Sequence, residues 1–236
     1  KSSNQGIMNL AESKAKTAEY LAVDSGVLVQ YDREVAQADE KYGPIFEAYA
    51  ARTIEDLSTD SEALKVGQRL FIQNCSQCHG SDAHGTTGFP NLADKDWLYG
   101  GTPEKIKETI MHGRKAVGMM AWAGALGGEE GVKEVAAYVI SLSGRSVNAD
   151  LANAGKAKFG ICAGCHGPEG QGSLALGLPM GAPNLSDNTW LYGGSQRAIE
   201  ESIRNGRAGI MPPWKDILGE EKVHLVSAYI YSLSLD

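Results

Sequence analysis

The sequence predicts an all-α protein, built from two tandem copies of one small module behind a helical leader. Three observations carry this expectation. The first is an internal repeat. Trp97-Leu98-Tyr99-Gly100-Gly101 returns as Trp190-Leu191-Tyr192-Gly193-Gly194, Gly113-Arg114 as Gly206-Arg207, and Phe89-Pro90-Asn91-Leu92 as Ala182-Pro183-Asn184-Leu185. The second is the close of each copy. Val132, Val135, Val139 and Leu142 share one helical face, as do Val223, Val226, Ile230 and Leu233. The third is that no convincing run alternates with period two, so strands are not expected.

The elements follow in chain order. Residues 1–60 form the leader, with six basic and eleven acidic residues. Leu28, Tyr31, Val35, Ala38 and Tyr42 recur about every 3.5 residues. A helix therefore runs to Tyr42, and Gly43-Pro44 stops it. Its face is too short for a stable coiled coil, so it packs on the modules or serves as a stalk. Residues 61–145 form the first module and 146–236 the second. Each opens with a short helical stretch, Gly67 to Phe71 and Gly155 to Phe159. A middle helix runs from Pro103 to His112, with Thr102 as cap and proline in its first turn. Ser195 plays the same capping part in the second copy. The linker Ser143-Gly144-Arg145-Ser146-Val147-Asn148 is short and polar.

Each module carries Cys-x-x-Cys-His, as Cys75-Ser76-Gln77-Cys78-His79 and as Cys162-Ala163-Gly164-Cys165-His166. No other cysteine occurs. This is the spacing for covalent attachment of a c-type haem. Two thiols add across the two porphyrin vinyl groups, and the adjacent imidazole lies under the iron. Two disulfides would leave the histidines unexplained, and pairs 87 residues apart do not suggest one shared zinc. The cofactors expected are two covalently bound haem c groups, so each module reads as a class I cytochrome c domain. The Pro-Asn-Leu and Trp-Leu-Tyr-Gly-Gly repeats lie 93 residues apart, against 87 for the cysteines. The second copy has therefore gained six residues, in the Gly172 to Gly181 loop.

The sixth ligand separates electron transfer from ligand chemistry. Methionine is the usual partner in cytochromes c. Met211 lies in Ile210-Met211-Pro212-Pro213-Trp214 and is the distal candidate for the second haem. Anchoring Trp122 on Trp214 matches Met119 to Met211, which makes Met119 the candidate for the first haem. Anchoring on Arg114 and Arg207 leaves one extra residue, best placed around Gly118. Met120 and His112 are alternative ligands of the first haem, and Met180 is a spare for the second. As a helix-end histidine, His112 reads first as a surface or capping residue. By periodicity His224 falls on the exposed side of the last helix, and His84 reads as solvated. Trp97, Arg114, Trp190 and Arg207 are candidate propionate contacts, with Tyr99 and Tyr192 beside them; all six serve equally well as packing residues.

A net charge of −7 argues against nucleic-acid binding. No run approaches the roughly 20 apolar residues that span a bilayer. The chain begins at Lys1 and reads as a truncated or processed form.

Cys-Ser-Gln-Cys-His-Gly-Ser-Asp, Phe-Pro-Asn-Leu, Asp-Trp-Leu-Tyr-Gly-Gly, His-Gly-Arg and the closing Val-His-Leu-Val-Ser-Ala-Tyr-Ile-Tyr-Ser-Leu-Ser resemble the dihaem subunit of cbb3-type cytochrome c oxidase, CcoP or FixP. The resemblance runs from about residue 35 to the end, Tyr42-Gly43-Pro44 included. It implies His/Met ligation at both irons and a membrane anchor upstream of this chain. It also implies a place on the periplasmic side of the bacterial inner membrane. Such a subunit takes electrons from periplasmic cytochromes c. It passes them toward a monohaem subunit and a catalytic subunit that reduces oxygen, and is not an enzyme by itself. This chain departs from the family at Gly118-Met119-Met120-Ala121, where a Met-Pro is usual. The competing readings are a free periplasmic dihaem shuttle, a dihaem peroxidase, and a gas or redox sensor acting through a labile first-haem methionine.

Overall fold

A computed structural model of the protein describes residues 30–235. It is mostly helical, as expected. The leader helix α1 spans Gln30–Ala50 and continues through Gly43 and Pro44, so the expected stop is corrected. Proline forfeits one backbone hydrogen bond. Beyond it, Phe46 and Tyr49 pack against Ile54, Leu57, Ala63, Leu225 and Ala228, and that burial outweighs the loss. Leu28 lies outside the described residues. A single helical turn, Ile54–Leu57, follows under a Thr53 cap.

The first copy supplies α2 (Ser61–Asn74), α3 (Pro103–His112), a strand β1 (Arg114–Lys115) and α4 (Glu129–Leu142). The second supplies α5 (Ala149–Lys158), α6 (Gln196–Asn205), a strand β2 (Ile210–Met211) and α7 (Glu220–Leu233). Short polar caps start the helices. Asp60 accepts from Glu62 and Ala63 N–H at α2, and Asn148 from Asp150 and Leu151 N–H at α5. Thr102 and Ser195 cap α3 and α6 as the sequence predicts. The opening helices are longer than the stretches read from Gly67–Phe71 and Gly155–Phe159.

The two copies exchange their closing helices. Helix α7, from the second copy, packs on α2 and α3 of the first. Its Val223, Val226 and Ile230 share a core with Phe71, Ile106, Ile110 and Met111. Helix α4, from the first copy, packs on α5 and α6 of the second, where Val132, Val135 and Val139 meet Phe159, Ile199 and Ile203. Burying each such side chain contributes roughly 1.5–3 kcal/mol.

The exchange repeats residue by residue. At the α2–α7 crossing, a Cβ on Gly67 would lie 2.7 Å from Leu225 O; at the α5–α4 crossing, one on Gly155 would lie against Glu134 O. The ring pair Phe71–Tyr229 has its counterpart in Phe159–Tyr138, with centroids 5.5 and 5.0 Å apart. Trp214 N–H donates to Ile110 O, and Trp122 N–H donates to Ile203 O. The sequence repeats are thus contiguous, but the packed units are not. Unit I combines residues from about 61–114 with 211–235, and unit II lies between them.

Both crossings run through one antiparallel ribbon, unforeseen because its strands are too short to show a period. Arg114 pairs with Met211 and Lys115 with Ile210. Ala116 N–H donates to Gly209 O at 3.0 Å. Past this point Met119 pairs with Arg207, exchanging bonds of 2.7 and 2.8 Å. Val117 and Gly118 therefore face Ala208 alone, so the first strand carries a one-residue bulge. Gly118 takes φ +85°, and this is the extra residue the Arg114–Arg207 alignment placed there.

Candidate haem sites

Each Cys-x-x-Cys-His segment coils into a helical turn, Ser76–His79 or Gly160–His166. Cys75 and Cys162 face inward, whereas Cys78 and Cys165 are exposed. Burial pushes the Cys75 and Cys162 thiols up to about 11, an environment suited to an uncharged thioether.

His79 and His166 are buried. Nδ1 of His79 donates to Pro90 O and Nδ1 of His166 to Pro183 O, both at 2.9 Å. A carbonyl only accepts, so the proton sits on Nδ1 and the Nε2 lone pair is free. Among the described residues neither Nε2 has a hydrogen-bond partner. Burial also lowers both imidazole pKa values, against the carbonyl bond that raises them, and favours the neutral ligand form. Two buried, oriented, unpartnered nitrogens beside cysteine pairs fit an iron porphyrin in each unit.

The methionines are crossed relative to the chain order. Met211 and Trp214 pack on the core holding Phe71, Ile106 and Met111, with Cys75, Leu92 and Trp97 against it. Met119 and Trp122 pack on the core of Phe159, Ile199 and Ile203, with Cys162, Leu185 and Trp190. The sequence expectation joined Met119 to the first cysteine set and Met211 to the second, whereas here Met211 shares a core with Cys75 and Met119 shares one with Cys162. Each methionine follows its closing helix into the opposite unit. Met120, at 65% exposure, points to solvent, and His112 is exposed at the end of α3. Met180 is half-buried in the inserted loop, which contains the short turn Gly172–Ala175.

Glycine geometry makes the methionine seats equivalent. A Cβ on Gly113 would strike Met211 O, and one on Gly206 would strike Met119 O. Both glycines also hold positive φ, +67° and +74°.

The repeated tryptophans and arginines occupy matching places. Trp97 and Trp190 lie against Gly101 and Gly194, where any Cβ would strike the indole. Arg114 stacks 5.0 Å over Tyr99 and bonds Glu108 and Thr109. Arg207 stacks 4.4 Å over Tyr192 and bonds Ser202. Arg145, not singled out in the sequence, stacks on Trp190 and donates to Gly194 O. A cleft of about 520 Å³ separates the two proximal loops, lined by Pro90, Trp97, Pro183 and Trp190 among others. Across it Thr189 donates to Asp96 at 2.6 Å. Burial, with the carboxylates facing one another there, raises the pKa of Asp94 and Asp187.

His224, expected on the exposed side of α7, is buried, and its Nε2 donates to Arg52 O at 2.8 Å. The leader covers a helix face that would otherwise be solvated. Met111 is a buried methionine beside the first site that sequence reasoning passed over. Its place on the apolar face of α3 with Ile106 and Ile110 was the available signal.

The model of the family "Cytochrome C oxidase, cbb3-type, subunit III" matches residues 62–139 and again 151–230. The CcoP subunit of the cbb3-type oxidase of Rubrivivax gelatinosus is 45% identical over 205 residues, covering 87% of this chain and 66% of that protein. CcoP of Azospirillum brasilense is 39% identical, covering 87% of this chain and 74% of its own length. FixP of Bradyrhizobium diazoefficiens is 38% identical, covering 85% and 72%. The chain thus spans about two thirds of the Rubrivivax relative and somewhat more of the other two. Among the described residues no helix is long and apolar enough to cross a membrane. With its doubled family match and its two cysteine–histidine sites, the chain belongs to the cbb3-type cytochrome c oxidase subunit III family.

Proposed function

We propose that the chain is the two-haem electron relay of a cbb3-type oxidase, held on the periplasmic side of the inner membrane. It takes electrons from a periplasmic cytochrome c and delivers them toward the monohaem and catalytic subunits. The observation that carries this reading is the pair of buried imidazoles, each in a unit whose core also packs a methionine beside the first cysteine of its pair. Haem c supplies a one-electron Fe(III)/Fe(II) couple. Cys75 and Cys78 hold one group and Cys162 and Cys165 the other. His79 and Met211 would hold the first iron, and His166 and Met119 the second. Pro90 and Pro183 fix the imidazoles. A thioether partner to each imidazole would favour Fe(II) and suit electron transfer rather than substrate chemistry. Trp97, Arg114, Trp190 and Arg207 line the propionate side.

Membranes carrying the full-length protein test the proposal. With Cys75→Ala/Cys78→Ala, oxygen uptake driven by a reduced c-type cytochrome falls to background. Uptake driven by a small reductant that feeds the catalytic subunit directly persists. Unchanged cytochrome-driven uptake would overturn the relay. So would hydrogen peroxide reduction by the isolated chain at an enzyme's rate.

A further inference from the structure

The ribbon that seats the methionines is a single object. One strand leaves α3 of unit I and ends at Met119 in unit II; the other leaves α6 of unit II and ends at Met211 in unit I. Within the ribbon, each methionine strand is held by backbone bonds to the other strand. Arg114 pairs with Met211, Ala116 N–H bonds Gly209 O between them, and Met119 pairs with Arg207.

From this arrangement we propose that the two distal methionines are coupled through the 114–119/207–211 ribbon, so that releasing one from its iron loosens the other. The proposal rests on the crossed ligation above. Freeing Met119 lets residues 117–119 leave Arg207, shortening the ribbon to its Arg114–Met211 end. The remaining pairs then lose their neighbours, and short two-stranded ribbons are marginal without support. Gly118 makes this end the weaker one. Its φ of +85° and the bulge leave residues 117 and 118 without cross-strand bonds, whereas Met211 runs directly into Pro212-Pro213. Opening therefore begins at Met119 and spreads toward Met211. The exposed Val117, Met120 and Ile210 on the ribbon add little burial to hold it closed.

The test uses the holoprotein in three forms: wild type, Met119→Ala and Ala116→Pro. Ala116→Pro removes the N–H that bonds Gly209 and leaves all four axial ligands present. Imidazole binding is followed separately at each iron through the paramagnetically shifted haem-methyl resonances. In Met119→Ala the second iron loses its sulfur ligand, and imidazole affinity at the first iron rises roughly five-fold or more, the usual scale of site–site coupling. Ala116→Pro raises imidazole affinity at both irons. Gly43→Ala, in α1 away from the ribbon and with nothing within 4 Å of the added Cβ, leaves both affinities unchanged and serves as control. If Met119→Ala leaves the first iron's affinity at its wild-type value, coupling is overturned while crossed ligation stands. If instead the first iron loses its sulfur, crossed ligation itself is overturned. Should Ala116→Pro fail to mature, Met211→Ala read at the second iron gives the reciprocal answer: equal fold-change supports coupling, and no change refutes it.

Discussion

The exchanged helices make a quantitative double-mutant cycle possible. Phe71 is fully buried and meets Tyr229, a residue 158 positions away in the other sequence repeat, with ring centroids 5.5 Å apart. Were each repeat packed on itself, its partner would be Tyr138, which instead meets Phe159. Phe71→Ala removes a fully buried ring and costs about 3–5 kcal/mol. Tyr229→Leu costs less, because its ring is only partly buried. The pair beyond its area is worth about 0.5–1.5 kcal/mol, and that is the coupling expected when the two changes are combined. Guanidinium unfolding of the oxidised holoprotein, followed by Trp fluorescence and by haem absorbance, yields the four free energies. Phe71 and Tyr138 share no contact, so their changes add within about 0.5 kcal/mol. Coupling of Phe71 with Tyr138, and none with Tyr229, would refute the exchange and with it the crossed placement of the methionines.

Other consequences are as specific. Gly206→Ala forces a Cβ against Met119 O and also meets positive φ, so the second haem loses its sulfur-to-iron charge-transfer band. Gly118→Ala meets only ordinary contacts, costs about 1–2 kcal/mol for its backbone conformation, and keeps the band. Met211→His lowers the potential of the first haem, not the second, because imidazole stabilises Fe(III) more than a thioether does; a potentiometric titration with resolved haems reads this. Burial lowers the His224 pKa, outweighing the bond to Arg52 O that raises it, while Lys107, Glu220 and Glu55 face the ring. The unfolded chain therefore binds the proton more readily, and stability drops as pH falls below about 6.5. His224→Gln should flatten that dependence in urea melts at pH 7 and pH 5; an unchanged slope would rule the histidine out as its source.

Much of this was legible because the signals are local. The cysteine–histidine spacing, the caps Thr102 and Ser195, the valine faces of α4 and α7, and the match of Met119 to Met211 through tryptophan depend on a few neighbouring residues. The exchange was hidden because the repeats resemble each other. Val132-x-x-Val135-x-x-Tyr138 and Val223-x-x-Val226-x-x-Tyr229 offer either unit the same face. One signal did exist. The six-residue linker between α4 and α5 makes them antiparallel neighbours, which pulls α4 and its preceding methionine into the second unit. The helical stop at Pro44 and the exposure of His224 failed for another reason. Both depend on the leader packing across α7, a contact between residues far apart in sequence that no local periodicity encodes.

Crossed ligation is tested most directly on protein that carries a single haem. Cys162→Ala/Cys165→Ala leaves only the group held by Cys75 and Cys78. In that background Met211→Ala should abolish the sulfur-to-iron charge-transfer band of the oxidised protein and the shifted methionine methyl resonance of the reduced protein. Met119→Ala should retain both. Loss of those signals on removing Met119, with Met211→Ala silent, would contradict the crossed sites and return each methionine to its own repeat.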